Sequence, residues 1–490
     1  MDPELVTRWI QWGVVSGIMR FHDRGLSAGD CAKNDPPSCS VVTPWDVAPK
    51  YAQANFEALR LRGSMVPYLY TAAFNAHRNG RWFIAPMYYE WPEMESAYQT
   101  ASPRPDLDAK YDSQYLLGDD LLVAPVVKSA NATDDLARMN VWVPPGLWVG
   151  LTGGRVLEGD VDGSTSITLL ADINEIPIYA RAGSIIPSTP IRPGNTIGRA
   201  RKPYDELVWT VYLAQGGPDS GSGIVYEDDG YSTRYDTVKD YAITTAQYKI
   251  SDSSGGYGLS QMTEQFRRRV RKSTTPTITL VFTVSTSGRL QKEMCRATTI
   301  RFMNTFPPHS VVSNGKELPF SQFGGKDTWH FESVNAALVI ELSHADVSKG
   351  VNLVVEMQSS PGDNKLILDG FGFQIARAEA AKAALDEIRI TPGSRTGQDK
   401  APGNLLLTTS LGSLLEYLAG IPSFASFEAA VRTYPKQLGS AFEEVQQLAH
   451  CQNTATISDI GQAGESDTRS LDRVARAISL LQEASSAGTQ

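Results

Sequence analysis

The residues best suited to chemistry lie near the start of the sequence, in the neighbouring segments Arg8–Gly13 and Met19–Gly25. They combine tryptophan, phenylalanine, arginine, histidine and aspartate beside a short apolar run. This mixture suits carbohydrate binding, because sugar C–H faces stack on aromatic rings while hydroxyl groups need charged or amide hydrogen-bond partners. The alternative, which composition alone favours, is that Arg20 and Asp23 form a surface ion pair and that the tryptophans belong to the core.

Other polar clusters carry weaker signals. The segment Tyr226–Gly230 contains three consecutive acidic residues and could ligate calcium or bind sugar. It lacks the alternating oxygen ligands of an EF-hand loop, so an acidic turn is the better interpretation. The six histidines show no metal-ligand spacing, and we find neither a phosphate-binding glycine loop nor a serine nucleophile elbow. We therefore expect no metal and no cofactor.

Charge and hydropathy argue against two classes of partner. A net charge of −9 at pH 7 gives no general attraction to nucleic acid. The basic run Arg267–Lys272 has no interleaved aromatic residues, so we predict a solvated loop or strand face there. No apolar run reaches the roughly 18 residues of a membrane span, and the first residues do not resemble a signal peptide. Cys31 and Cys39 could form one local disulfide, and the cellular compartment stays open.

The elements around the candidate residues indicate a parallel β/α arrangement, in a chain whose 490 residues predict two to four domains. We predict strands at Trp12–Val15 and Phe83–Tyr89, with a long helix or helix pair over residues 49–80 between them. Pro67 should kink or divide that helix, and Gly80 suits its end. Because parallel strands are normally covered on both faces, such a unit requires neighbouring strands from elsewhere.

The rest of the sequence divides into β-rich and helical parts. Short β-type runs separated by Pro/Gly turns predict a small β-sandwich over residues 115–190 and a second sandwich over residues 204–358. An Ala/Leu/Glu-rich region over residues 365–490 predicts a helical extension, with a frayed tail at Ala484–Gly488.

Several segments, spread in order over about residues 4–355, resemble glycoside hydrolase family 31, which includes α-glucosidases and α-xylosidases. They are Glu4–Gly13, Arg20–His22, Pro44–Trp45, Leu59–Arg62, Pro67–Thr71, Ile84–Met87, Glu90–Pro92, Gln114–Val126, Val143–Trp148, Ile178–Pro187 and Tyr226–Gly230. The resemblance implies a multidomain α/β plus all-β fold: residues 1–114 would be the last β/α units of an incomplete (β/α)8 barrel. Two β-sandwich domains, proximal and distal, and the helical extension would follow.

The resemblance also implies the site residues. His22 would hydrogen-bond the sugar in the −1 subsite, and Arg20 and Phe21 would support the wall of that pocket. The family hydrolyses α-glycosides with retention, using one aspartate as nucleophile and another as acid/base. Both belong to barrel strands upstream of Glu4, so the resemblance implies a truncated chain without catalytic residues that is inactive alone.

By the same resemblance, the ligand would be an α-glucoside or a related oligosaccharide, and a missing upstream barrel segment would be a partner. The sequence departs from the family at Ala85, where an arginine usually precedes the proline. It also departs in the long loop Leu26–Thr43, which lies where substrate specificity would be set.

Two other functions stay open. One is a non-catalytic carbohydrate-binding or scaffold protein, which exposed aromatic patches without a catalytic pair would favour. The other is catalysis by carboxylates such as Asp23, Asp46 or Glu90. That function would require two of these groups to face one cleft that excludes water and raises the pKa of one of them.

Overall fold

The structure is a computed structural model that describes residues 2–21, 43–100, 110–192, 204–252, 277–290, 295–358, 367–386, 410–420, 424–452 and 466–487. The helices are α1 (Pro3–Val14), α2 (Pro49–Ser64), α3 (Val66–Asn79), α4 (Glu95–Tyr98), α5 (Arg234–Thr237), α6 (Phe371–Asp386), α7 (Ser410–Ala419), α8 (Phe424–Gln452) and α9 (Ser466–Ser486). The first strands are β1 (Ile84–Pro86), β2 (Tyr115–Leu117), β3 (Leu121–Val123), β4 (Ala137–Trp142), β5 (Gly146–Gly150), β6 (Val156–Gly159), β7 (Ser166–Ala171), β8 (Ile178–Arg181) and β9 (Ile185–Ser188). They are followed by β10 (Glu206–Tyr212), β11 (Ser220–Glu227), β12 (Ala242–Asp252), β13 (Thr277–Gly288), β14 (Cys295–Met303), β15 (Pro308–Ser313), β16 (Lys316–Glu317), β17 (Thr328–Glu332), β18 (Ala337–Asp346) and β19 (Val351–Gln358).

Helix α1 occupies most of the segment that was predicted to be a strand, so the prediction of a strand at Trp12–Val15 is wrong. The side chain of Asp2 caps the start of the helix. Ile10 and Val14, four residues apart, are both buried. The apolar residues therefore follow the periodicity of a helix face and not that of a strand.

The parallel β/α order that depended on this strand is not present in the described residues. Ile84–Pro86 does form a strand, β1, but it pairs antiparallel with β2, with Ala85 opposite Leu116. β1 is thereby the edge of a six-stranded sheet with the order β1-β2-β3-β8-β5-β6. No closed barrel is found in the described ranges, and the N-terminal helices instead pack against this sheet.

The helix predicted over residues 49–80 is divided in two, as its proline indicated. Helices α2 and α3 meet at Met65. Pro67 lies in the first turn of α3, where its missing amide hydrogen leaves no helical bond unmade. Gly80 ends α3 with φ of +65°, a left-handed conformation that glycine adopts at little cost.

Two β-domains carry most of the core. The first consists of the six-stranded sheet and the β4–β7 pair, which enclose Trp142 and Trp148. The second pairs a five-stranded sheet, β17-β18-β14-β10-β9, with a six-stranded sheet, β11-β12-β13-β19-β15-β16. Phe282 and Phe302 meet between these sheets with ring centroids 5.7 Å apart. Strand β9 lies within the range predicted for the first sandwich but hydrogen-bonds to β10, so it connects the two domains.

Helices α6 to α9 pack on the second β-domain. Phe427 of α8 lies at the centre of the contact, edge-on to Phe306, Phe331 and Phe371, with centroid distances of 5.0 to 6.1 Å. These four helices therefore form a packed unit that shares its core with the β-domain. Within the ranges that the structure covers, no helix is both long and apolar enough to span a membrane.

The turn Asp172–Glu175, between β7 and β8, receives arginines from three helices; we call it the three-arginine turn. Arg8 of α1 donates to the main-chain carbonyls of Asp172 and Glu175 at 3.1 and 3.3 Å. Arg377 of α6 donates to the Glu175 carboxylate at 2.7 Å. Arg476 of α9 pairs with the Asp172 carboxylate. Burial acts to raise the pKa of Asp172, but the Arg476 charge and hydrogen bonds outweigh it, so this pKa lies below its ordinary value.

A buried carboxylate near the end of α9 completes this network. Glu483 accepts a hydrogen bond from Arg155 at 2.6 Å, and its other oxygen lies 2.7 Å from Nε of Arg377. The three side chains are only 4% to 7% exposed. The next residue, Ala484, is fully buried and α9 continues to Ser486, so the prediction of fraying from Ala484 is wrong.

Replacing Glu483 by Gln should destabilise the protein by about 3–5 kcal/mol, because two buried guanidinium groups lose their shared counter-charge. The free energy of unfolding from urea titration measures this loss. Glu443→Gln is the matched control, since it removes an exposed carboxylate from the neighbouring helix α8. A loss in Glu483→Gln no larger than in the control would show that the buried pairs do not hold α9.

Candidate functional site

The predicted site residues fall at the edge of the described structure. Arg20 and Phe21 follow α1, and both are exposed, Phe21 to 47%. His22 and Asp23 lie outside the described residues, as does nearly all of the loop Leu26–Thr43. The cysteine pair of that loop and the basic run predicted to be solvated also lie outside them. The role of His22 in a sugar subsite therefore stays a prediction.

A half-buried arginine fixes the segment that leads to these residues. The guanidinium of Arg62, on α2, donates to the carbonyls of Val14 at 2.8 Å and Gly17 at 2.9 Å, and also to that of Ser16. These carbonyls lie at and just beyond the C-terminal end of α1, where they have no partner within the helix. Burial lowers the pKa of Arg62 from its ordinary value, but a guanidinium remains charged at any physiological pH. The end of α1 is thus tied to α2 by a cation.

Two further contacts restrict the same segment. The hydroxyl of Tyr115, on β2, donates to the carbonyl of Val15 at 2.9 Å. A Cβ atom at Gly17 would lie 3.3 Å from the ring of Phe83, so the backbone passes close against that ring. Together with Arg62, these contacts define the chain path to within three residues of Arg20.

The carboxylates considered for catalysis within the chain do not form a pair in the described structure. Glu90 lies between two arginines, 3.7 Å from Arg81 and 3.4 Å from Arg181. Asp46 is exposed in the segment before α2. Because Glu90 is balanced by two cations and Asp46 faces solvent, neither lies in a pocket that excludes water. The structure gives no support to catalysis by these two groups.

One unusual carboxyl group was missed by the sequence reading. Burial and the neighbouring negative charge of Asp119 raise the pKa of Asp120 to about 6, although the nearby Arg181 opposes the shift. The amide of Asp120 donates to the hydroxyl of Tyr68 at 3.2 Å, and that hydroxyl donates to the Leu117 carbonyl at 2.8 Å. The sequence did offer one signal for this site, because two adjacent acidic residues, Asp119 and Asp120, follow a β-strand. Their different burial could not be read from the sequence.

The acidic segment Tyr226–Gly230 is occupied by structural contacts. Glu227 forms a buried two-bond pair with Arg296 at 2.7 and 2.9 Å. Asp228 accepts hydrogen bonds from the hydroxyls of Tyr70 and Tyr226 at 2.7 and 2.6 Å. These partners support the interpretation as an acidic turn. Among the residues that the structure describes, no group of three or more metal-ligating side chains could hold a metal ion.

The tryptophans of the N-terminal segment are not core residues, so the alternative that placed them in the core is wrong. Trp9 is 61% exposed and Trp12 is 45% exposed. Their rings meet edge to face with centroids 5.4 Å apart. The buried positions of α1 are supplied in their place by Thr7, Arg8, Ile10, Gln11 and Val14.

Comparison with known protein families identifies two domains. Residues 1–72 match the TIM-barrel domain of glycosyl hydrolases family 31, and residues 80–186 match the C-terminal domain of the same family. The predicted resemblance to glycoside hydrolase family 31 is therefore confirmed for these two segments of the chain. The predicted fold class, part of a family 31 barrel followed by β-domains, is confirmed.

Individual relatives agree with this family. Alpha-glucosidase 2 of Bacillus thermoamyloliquefaciens is 28% identical over 239 residues, which is 48% of this chain and 25% of that protein. An alpha-xylosidase of Saccharolobus solfataricus is 24% identical over 241 residues, or 49% of this chain and 27% of that protein. The chain thus spans about a quarter of the length of these curated relatives.

A solved structure shares the fold. It is a family 31 dextranase of Flavobacterium johnsoniae, determined in complex with isomaltotriose. The TM-score is 0.53 at 21% sequence identity, and the match covers 72% of this chain and 37% of that chain. At this identity the likeness concerns the fold alone.

Asp120 should make stability depend on pH. In the folded protein its pKa of about 6 lies above the ordinary 3.8, so the folded state holds the proton of this carboxyl group more tightly than the unfolded state does. The resulting contribution to the free energy of unfolding is complete below about pH 4 and is lost as pH rises through 6. Asp120→Asn should therefore raise the free energy of unfolding at pH 8 by about 2 kcal/mol relative to wild type, and should have little effect at pH 4. Urea titrations at both pH values measure the difference.

The exposed replacement Asp46→Asn serves as the control for this titration. A stability gain in Asp120→Asn that is equal at pH 4 and pH 8 would contradict the assigned pKa.

Proposed function

We propose that this chain takes part in the hydrolysis of O-glycosyl bonds as a component of an α-glucosidase-type enzyme. The observation that carries the proposal is the match of residues 1–72 to the family 31 TIM-barrel domain, since that domain contains the predicted subsite residues. The α-glucosidase and α-xylosidase relatives support an α-glycoside as the substrate class. The dextranase complex with isomaltotriose supports an oligosaccharide ligand.

In this proposal the chain binds and orients the sugar. His22 hydrogen-bonds a hydroxyl group in the −1 subsite, and Arg20 and Phe21 support the wall of the pocket. The Arg62 contacts hold the preceding backbone in place, so that His22 would be presented without a large entropic cost on binding.

We place the two catalytic carboxylates on barrel strands outside residues 1–114. Retention requires two carboxyl groups about 5–5.5 Å apart, one as nucleophile and one as acid and then base. We accordingly propose that the chain alone does not hydrolyse glycosides. A further barrel segment would supply those groups and cover Ile18, Trp45 and Phe56, which are 88%, 61% and 41% exposed.

A second candidate function is carbohydrate binding without catalysis. The exposed ring pair of Trp9 and Trp12 favours it, because exposed tryptophans are common sites of sugar stacking. In that case the β-domains and the helical unit would serve as a scaffold for the binding surface.

Replacing His22 by Ala should weaken binding of methyl α-glucoside about tenfold, since one or two hydrogen bonds to sugar hydroxyls are lost. Saturation-transfer NMR or calorimetry on the full chain measures the affinity. Phe323→Ala, which removes a 91% exposed ring from the second β-domain, is the control. Equal affinities for all three proteins would contradict the assignment of His22 to a subsite.

The same proteins distinguish a binding component from a complete enzyme. The full chain should release no 4-nitrophenol from 4-nitrophenyl α-glucoside. Release that disappears in His22→Ala would instead show that the chain carries its own catalytic carboxylates.

A further inference from the structure

A pocket of about 550 Å³ lies between α1 and the segment that follows β3; we call it the tryptophan pocket. Trp9 and Trp12, three residues apart on one face of α1, form one wall. Val127, which is 50% exposed, belongs to the opposite wall. The two indole planes stand at 86° to each other and form a corner. Among its described lining residues the pocket includes neither Arg20 nor Phe21.

One charged residue of the lining, Arg8, is largely buried. Arg8 is only 7% exposed, and its Nη1 donates to Gln11 and to the three-arginine turn. Its Nε and Nη2 have no hydrogen-bond partner in the described part of the chain. The nearest carboxylate, Glu4, is 3.6 Å from Nε and instead accepts hydrogen bonds from the amide of Ala130 at 3.0 and 3.2 Å. Both nitrogens are themselves fully covered, so Arg8 contributes its positive charge to the lining and not a donor within reach of a ligand.

The charges around the pocket favour a neutral ligand. Two carboxylates, Asp2 and Glu4, and two cations, Arg8 and Lys128, belong to the lining. Lys128 is already paired with Asp112 at 2.8 Å. An anion or a cation would therefore gain little net attraction, whereas a neutral molecule rich in hydroxyl groups could use both donors and acceptors. The volume is within the range of small-molecule sites, about 300–1,000 Å³.

We propose that the tryptophan pocket is a carbohydrate-binding site for a neutral oligosaccharide of hexose rings. One ring stacks on Trp9 or Trp12 through its C–H face, and its hydroxyl groups meet the polar side chains of the lining, Asp2, Glu4 and Lys128. The site is non-catalytic, and it does not depend on the glycosidase function proposed above. It would hold a glucan chain on the surface of the protein.

Titration of the full chain with maltotriose, and separately with isomaltotriose, tests the proposal by calorimetry. The double variant Trp9→Ala/Trp12→Ala should lose about tenfold or more in affinity, because the stacking surface is removed. Val127→Trp, which fills the pocket from the opposite wall without removing any contact of α1, should cause a similar loss. Trp45→Ala removes a tryptophan that is equally exposed, at 61%, but is not in the pocket, and should bind as wild type.

Three outcomes would overturn the inference. Binding that is unchanged in both pocket variants would show that the sugar does not enter this pocket. Loss of binding in His22→Ala alone would assign the sugar to the subsite instead. A wild-type dimer in light scattering that becomes monomeric in the double variant, with no sugar binding by either protein, would show that the tryptophans form an interface between copies of the chain.

Discussion

The arrangement of the whole chain depends on the three-arginine turn. Its carboxylates and carbonyls receive Arg8, Arg377 and Arg476, which come from three helices that are far apart in the sequence. Removing one guanidinium or one acceptor leaves a charge or a polar group uncompensated inside the protein. The barrel-type helix α1, the first β-domain and the helical unit therefore all meet at this turn.

This constraint connects the helical unit to the proposed sugar-binding surfaces. Arg8 contacts the three-arginine turn and also belongs to the lining of the tryptophan pocket. At the C-terminal end of α1, Arg62 holds the backbone that leads to Arg20. Both proposed sugar sites therefore depend on one helix, which is held by Arg8 along its length and by Arg62 at its end.

The sequence alone was informative where structure is local. Pro67 and Gly80 predicted the division and end of the α2–α3 pair, because both residues act through their own backbone geometry. The sequence did not predict contacts between segments that are distant along the chain. Trp12–Val15 is too short a run to distinguish a buried strand from a helix end, and nothing in Ile84–Pro86 indicates that its partner is an antiparallel strand of the next domain.

The polar contacts between distant residues were the feature that the sequence predicted least well. Arg155 and Glu483 are 328 residues apart, and neither residue type nor spacing relates them. The raised pKa of Asp120 arises from burial that follows only from the packed fold. The family motifs, by contrast, identified the barrel and C-terminal domains correctly, because the sequence retains them as continuous segments.

Differential scanning calorimetry of the full chain tests the central claim most directly, namely that the three-arginine turn joins the N-terminal helices, the β-domains and the helical unit into one cooperative structure. The account predicts a single unfolding transition whose calorimetric and van't Hoff enthalpies agree. Two resolved transitions, with the helical unit unfolding while the β-domains remain folded, would contradict it.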